Sequence, residues 1–277
     1  MLSYRHAFHA GNAADVLKHA VLVFVLDYLK QKTKPLYLID THAGAGLYDL
    51  LSDQAAKTGE AEAGIQRVLN APGPRPDLIA GYEKAVRASL EVQGRYPGSP
   101  ALLAAGMGPE DRLDLCELHP TDYPLLAGLF GDLPRVRVSQ EDGFRALIAR
   151  MPPQERRGLA VVDPSYEIKS DYSTVVTSLK EAHKRFATGV YMLWYPVIER
   201  ARTDVFLKAL EASGLPRQLR IELSLGPDMA GRGMTGFGLV VINPPYVLEP
   251  AAAEGLAWMS QTLGATGPAR IEWLVAA

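Results

Sequence analysis

Asp163, Pro164, Ser165 and Tyr166 follow an apolar run, Gly158 to Val162, and bring a carboxylate, a backbone carbonyl and an aromatic ring to one point of the chain. The exocyclic amino group of a purine is a poor nucleophile, because its lone pair is delocalised into the ring. Two acceptors placed on its hydrogens draw that nitrogen toward tetrahedral geometry. An anionic acceptor also stabilises the positive charge that develops as a methyl group arrives from a sulfonium. An adjacent ring stacks on a base that has left its helix or loop. Asp163 is therefore the expected catalytic residue, with the Pro164 carbonyl and the Tyr166 ring as expected substrate contacts. The alternative for the same string is an Asp-Pro turn that closes a strand.

Three further stretches end apolar runs on groups that suit a nucleoside. Asp40 is followed by "THAGAG", where glycines let the backbone approach a ligand with no side chain between. The spacing lacks the third glycine of the dinucleotide fingerprint, which weakens a nicotinamide oxidoreductase reading. Glu117 closes "LDLCE" and can accept hydrogen bonds from both hydroxyls of a ribose; a solvated loop acid is its alternative. Asp142 and Gly143 follow "RVRV" and suit an adenine amino group, or else Asp142 caps the helix beginning near Phe144. Together they form an expected site for an adenosine-bearing molecule.

The elements that must position these residues read as alternating strands and helices. Residues from Asn12 to about Lys30 have apolar side chains at helical spacing, with Asn12 and Asp15 placed as in a capping box. Short apolar runs at Leu36–Asp40, Leu113–Glu117, Arg135–Val138, Gly158–Asp163 and Val190–Tyr195 alternate with helical stretches at Tyr123–Phe130, Phe144–Arg150 and Asp171–Phe186. That alternation predicts a parallel sheet covered on both faces, whose ligands collect beyond the strands' carboxyl ends. Arg217–Leu225 and Gly236–Pro244 are joined by a loop too short for a helical crossover, which predicts an antiparallel hairpin and a seven-stranded sheet. "NPPY" at Asn243–Tyr246 repeats the Asp163 pattern, but its strand runs antiparallel, so it is expected at the opposite sheet edge as a strand exit. "APGPRP", Ala71 to Pro76, breaks the long interval after the first strand, and residues 48–96 read as an inserted helical subdomain. Residues 1–47 would then supply the cofactor-binding helix and first strand, and 97–277 the remainder of the domain.

Composition narrows the classes. The chain has 277 residues, 48% hydrophobic and 22% charged, which fits a soluble globular protein. A net charge of −2 supplies no global attraction to nucleic acid, so any such contact is local. Arg5, His6, His9, Lys184, Arg185 and Arg232 are the candidate cations. A single cysteine, Cys116, excludes an intrachain disulfide framework and fits a reducing compartment. The first residues lack the apolar core of a signal peptide, and no run of about 18 apolar residues occurs, so a cytoplasmic protein with no membrane span is expected.

The strings "MLSYRHAFHAGNAADVLKHA", "DTHAGAG", "YPGSP", "EDGF", "VDPSYE", "KRFATG", "GRGMTG" and "NPPY" resemble, in order and over nearly the whole chain, the bacterial RlmJ family. That resemblance implies a Rossmann-like class I methyltransferase with a small inserted helical subdomain, and 23S rRNA (adenine(2030)-N(6))-methyltransferase activity. It implies S-adenosyl-L-methionine as cofactor, 23S rRNA as partner, no metal and a monomer. By matching motif it places cofactor contacts at His19, His42, Ser99, Glu117, Asp142 and Gly143, catalysis at Asp163 and a substrate contact at Tyr4. Packing explains His19 and Tyr4 equally well from sequence alone, a turn explains Ser99, and Lys18 either meets the cofactor carboxylate or faces water. The family has proline where this chain has Ser165, which predicts a looser turn with activity retained. A DNA adenine methyltransferase and a noncatalytic RNA-binding scaffold are the rival readings.

Overall fold

Five parallel runs and a terminal hairpin become one eight-stranded sheet in the computed structural model, which describes residues 5–227 and 233–276. In chain order, a 3-10 turn at His6–Phe8 precedes α1 (Ala13–Lys30), β1 (Tyr37–Asp40) and the short β2 (Leu47–Tyr48). Four helices follow: α2 (Asp53–Thr58), α3 (Glu60–Ala63), α4 (Ile65–Asn70) and α5 (Asp77–Gln93). Then come β3 (Tyr96–Pro97), α6 (Ser99–Gly106), β4 (Arg112–Cys116), α7 (Asp122–Phe130), β5 (Val136–Ser139) and α8 (Gly143–Ala149). The chain continues through β6 (Gly158–Val162), α9 (Asp171–Arg185), β7 (Val190–Val197), α10 (Arg200–Glu211) and β8 (Gln218–Ser224). It ends with β9 (Gly236–Ile242), α11 (Leu248–Leu263) and β10 (Ala269–Val275).

The sheet order is β10-β8-β9-β7-β6-β1-β4-β5. Strands β5, β4, β1, β6 and β7 run parallel. Strand β9 is antiparallel to both β7 and β8. The eighth strand, β10, pairs antiparallel with β8 and corrects the expected count of seven. Its signal was an alternation of Ile271, Trp273 and Val275 with Arg270 and Glu272, muted because the strand lies half-exposed at the sheet edge. As central parallel strands should, β1 and β6 are buried at every position.

The expected capping at Asn12 is present: its side chain accepts from the Asp15 N–H at 2.9 Å. Asp15 reaches back to the N–H of Gly11, at 2.9 Å, rather than to that of Asn12. Helix α1 is not amphipathic in effect, since every residue from Ala13 to Val23 is buried. The reason is the helical segment between β2 and β3. Its longest helix, α5, packs on α1 and α11, and Leu78, Ile79, Tyr82 and Val86 join the core that α1 shares with the sheet. Strands β2 and β3 pair antiparallel, Leu47 with Pro97 and Tyr48 with Tyr96, so the two ends of that helical segment lie side by side.

Candidate active site

The parallel topology sends the carboxyl ends of β6, β1, β4 and β5 to one edge, in that spatial order. A cavity of about 880 Å³ opens there. Its walls include the expected cofactor group of His19, His42, Ser99, Glu117, Asp142 and Gly143. Asp163, Pro164 and Ser165 line the same cavity. Tyr4 and Arg232 lie outside the described residues.

On the cofactor side the loop after β1 is held by its neighbour. Glu117 accepts the Gly44 N–H at 2.7 Å and the His119 N–H at 2.6 Å, while Gly44 turns through φ +62°. Burial pushes the Glu117 carboxyl up, and those two N–H donors partly offset it. Asp142 does cap α8, accepting from the N–H groups of Phe144 and Arg145 at 2.9 and 3.2 Å, and it also faces the cavity. Both readings of that residue hold. Gly143 has no room for a side chain, because a Cβ there would sit 1.8 Å from the Thr41 carbonyl oxygen. Gly44 is similarly closed, its Cβ position lying 2.3 Å from the Tyr48 hydroxyl. Backbone therefore floors the cavity between acids that can receive hydroxyl and amino donors. That donor set and cradle fit the adenosine half of S-adenosylmethionine.

Two histidines on this wall are neutral near pH 7. Burial lowers His42 to about 4, with its ring edge-on to Phe144 at 4.9 Å. Burial also lowers His19 to about 3; its Nδ1 sits 2.8 Å from the Tyr96 hydroxyl, which in turn meets that of Tyr82 at 2.9 Å. A base whose folded pKa is depressed adds stability above its unfolded value, and loses it as pH falls toward the folded one. Thermal melts from pH 7 to pH 4 should thus record a loss attributable to His19 of about 2–3 kcal/mol by pH 4. A His19→Gln protein should show a flatter profile, and equal slopes would refute the neutral assignment. Asp40, at the end of β1, is fully buried and its carboxyl is pushed to about 7 by that burial.

The corner around Asp163 holds a residue whose partners the sequence did not disclose. Lys18 Nζ sits 2.6 Å from Asp163 Oδ2 and 2.9 Å from Asp15 Oδ1, and Asp15 Oδ2 is 2.8 Å from His6 Nε2. Lys18 is buried rather than facing water, and it lines the cavity already paired with two carboxylates. Burial opposes its charge, but Asp15 and Asp163 outweigh that and hold its pKa well above the ordinary lysine value. Asp15 is likewise held well below the usual carboxylate range: burial is outweighed by His6 and Lys18. The available signal was Asp15, Lys18 and His19 interrupting a helix otherwise apolar from Ala13 to Val25.

Tyr166 is the residue the structure does not bring to the cavity. Its backbone takes φ +55°, its hydroxyl donates to the Trp194 carbonyl at 2.7 Å, and its ring lies 4.5 Å from that of Tyr172 in the core beneath α9 and α10. The left-handed turn points the side chain into the protein, so the expected stacking platform is a packing residue here. Among the other candidate cations, Arg5 pairs with Asp122 at 3.1 Å, His9 with Glu60 at 2.9 Å, and Arg185 donates to the Ile148 carbonyl at 2.9 Å. The described residues contain no cluster of three or more His, Cys, Asp or Glu that could hold a metal ion. No helix among them is long and apolar enough to cross a membrane.

A family model described as "RsmJ: Ribosomal RNA large subunit methyltransferase D, RlmJ" matches residues 33–275. The Haemophilus influenzae protein named Ribosomal RNA large subunit methyltransferase J is 46% identical over 280 residues, 99% of each chain. Its Escherichia coli namesake is 46% identical over 278 residues, again 99% of each. A crystal structure of a Legionella pneumophila protein matches with a TM-score of 0.87 at 38% identity, covering 96% of this chain and 98% of that one.

Proposed function

This chain belongs to the RlmJ family of ribosomal RNA large-subunit methyltransferases, and on that premise we propose how its cavity methylates an adenine of 23S rRNA at N6. The observation that carries the proposal is Asp163: it directly follows a central parallel strand and lines one cavity with Glu117, Asp142 and Gly143. S-adenosylmethionine, when bound, supplies an electrophilic methyl group on its sulfonium. Glu117 takes the ribose hydroxyls, Asp142 and the Gly143 backbone take the adenine, and His19, His42 and Ser99 line the rest of that pocket.

The target base enters beside Asp163. Its amino hydrogens are received by the Asp163 carboxylate and the Pro164 carbonyl, which localises the nitrogen lone pair for attack on the methyl carbon. A carbon–nitrogen bond forms, the carbon–sulfur bond breaks, and the nitrogen sheds one proton. Lys18 bonds Oδ2 of Asp163 and holds the carboxylate in place, where its negative charge stabilises the developing positive charge. The shed proton passes on to water. The protein acts as a monomer in the cytoplasm, without a metal.

Mass spectrometry of 23S rRNA from cells with and without this protein tests the assignment. One N6-methyladenosine should vanish on deletion and return with the wild-type chain. Purified protein and labelled S-adenosylmethionine should modify that RNA and leave a DNA oligonucleotide of matched sequence unmodified. An unchanged methylation pattern, or equal transfer to the DNA, defeats it.

A further inference from the structure

Arg150 lies at the end of α8 away from the cavity, yet its guanidinium reaches both strands that carry the adenosine-binding acids. Nη1 donates to the Cys116 sulfur at 2.8 Å, on the last residue of β4 and directly before Glu117. Nη2 donates to the Ser139 hydroxyl at 3.1 Å, on the last residue of β5, and to Glu141 at 2.5 Å, directly before Asp142. Nε lies 3.0 Å from Asp114, which also accepts the Tyr37 hydroxyl of β1 at 2.8 Å. One side chain therefore ties the carboxyl ends of β4 and β5 and, through Asp114, reaches Tyr37 at the start of β1. The backbone repeats the tie, because the Glu117 N–H donates to the Ser139 carbonyl at 3.1 Å.

The chemistry of this knot suits positioning. The guanidinium side chain is 11% exposed, and its planar fork fits several acceptors at fixed angles, which an ammonium cannot reproduce. The sulfur it touches is a fully buried thiol. Neither Arg150 nor Cys116 lines the cavity, so neither contacts a ligand there.

We infer that Arg150 is a positioning residue for the cofactor: by bonding Cys116, Ser139 and Glu141 it fixes the separation of Glu117 and Asp142, and so the fit of the adenosine half. This rests on the assignment of those two acids to the cofactor. Arg150→Met should raise KM for S-adenosylmethionine about 10- to 100-fold, the worth of one or two hydrogen bonds to a charged group, with kcat at saturating cofactor within about twofold. Methylthioadenosine, which keeps the adenosine half alone, should lose affinity by a similar factor. Arg150→Lys, the milder change if the methionine variant folds poorly, should show a smaller KM rise in the same direction.

A control separates positioning from lost stability. Arg112, at the far end of β4, forks onto Glu155 at 2.6 and 3.1 Å. Arg112→Met should lower the melting temperature while leaving KM unchanged. Equal KM rises in the Arg112 and Arg150 variants, a fall in kcat at constant KM, or unchanged KM in both Arg150 variants overturns the inference. A Glu117→Ala arm locates the fault. Unchanged KM there removes the cofactor assignment and the inference with it, whereas raised KM there with unchanged KM in the Arg150 variants removes the inference alone.

Discussion

A protein carrying Asp163→Asn is expected to transfer methyl groups about 10³-fold more slowly, a loss of about 4 kcal/mol of transition-state stabilisation, while binding S-adenosylmethionine almost normally. Asparagine keeps an acceptor oxygen of the same shape, so the target amino group can still dock. What disappears is the negative charge opposite a nitrogen that becomes positive during transfer. The fold should tolerate the change, because Lys18 retains Asp15 at 2.9 Å as a partner for its buried ammonium. Asp163→Ala should abolish detectable transfer and cost more stability, since it leaves a gap as well as a missing charge. Single-turnover assays with saturating RNA, paired with calorimetric titration of the cofactor, give the two numbers. Transfer by the asparagine variant within about threefold of wild type is incompatible with any electrostatic role of this size.

The sequence made the strand ends readable for a physical reason. Each of β1, β4 and β6 is a short apolar run that stops at an acid, and a parallel sheet buried on both faces leaves few other ways to arrange such runs. The same logic separated the two Asp/Asn-Pro strings. Strand β9 runs against β7, so Asn243 leaves the sheet at the far edge, where its side-chain amide donates to the carbonyls of Ala187 and Gly189. Tyr246 stands exposed there, edge-on to Tyr28.

What sequence spacing could not supply were contacts set by the fold as a whole. Lys18 and Asp163 are 145 positions apart, and nothing local marks them as a pair. The direction of the Tyr166 ring depends on the sign of one φ angle, which the string Asp-Pro-Ser-Tyr leaves open. Helix α1 looked one-sided because the helix that covers its other face, α5, lies far along the chain, beyond β2. The contacts of Arg150 are non-local for the same reason as those of Lys18, since its acceptors lie on β4, on β5 and in the loop after β5, between 9 and 36 positions earlier.

Gly143→Ala should be the most damaging single-carbon change in the cavity. The added Cβ would stand 1.8 Å from the Thr41 carbonyl oxygen and 2.7 Å from its carbon, both backbone atoms. No rotamer relieves that contact. The start of α8 must therefore retreat from the β1 loop by more than about 1 Å, against tight packing on both sides. Overpacking of this kind costs about 1–3 kcal/mol of stability. The retreat also separates Thr41 and His42 from Asp142, the two cavity walls proposed to hold the cofactor, and displacements of that size cost about 10²-fold where geometry matters. Calorimetry should accordingly show S-adenosylmethionine affinity reduced about 100-fold, together with a lower melting temperature. Gly128→Ala is the matched comparison: it lies within α7, and a Cβ there meets nothing within 4 Å. That variant should be unchanged in affinity and more stable by up to about 1 kcal/mol, from helix propensity alone. If both alanine variants bound the cofactor equally well, the close approach of α8 to the β1 loop would not be what shapes the pocket.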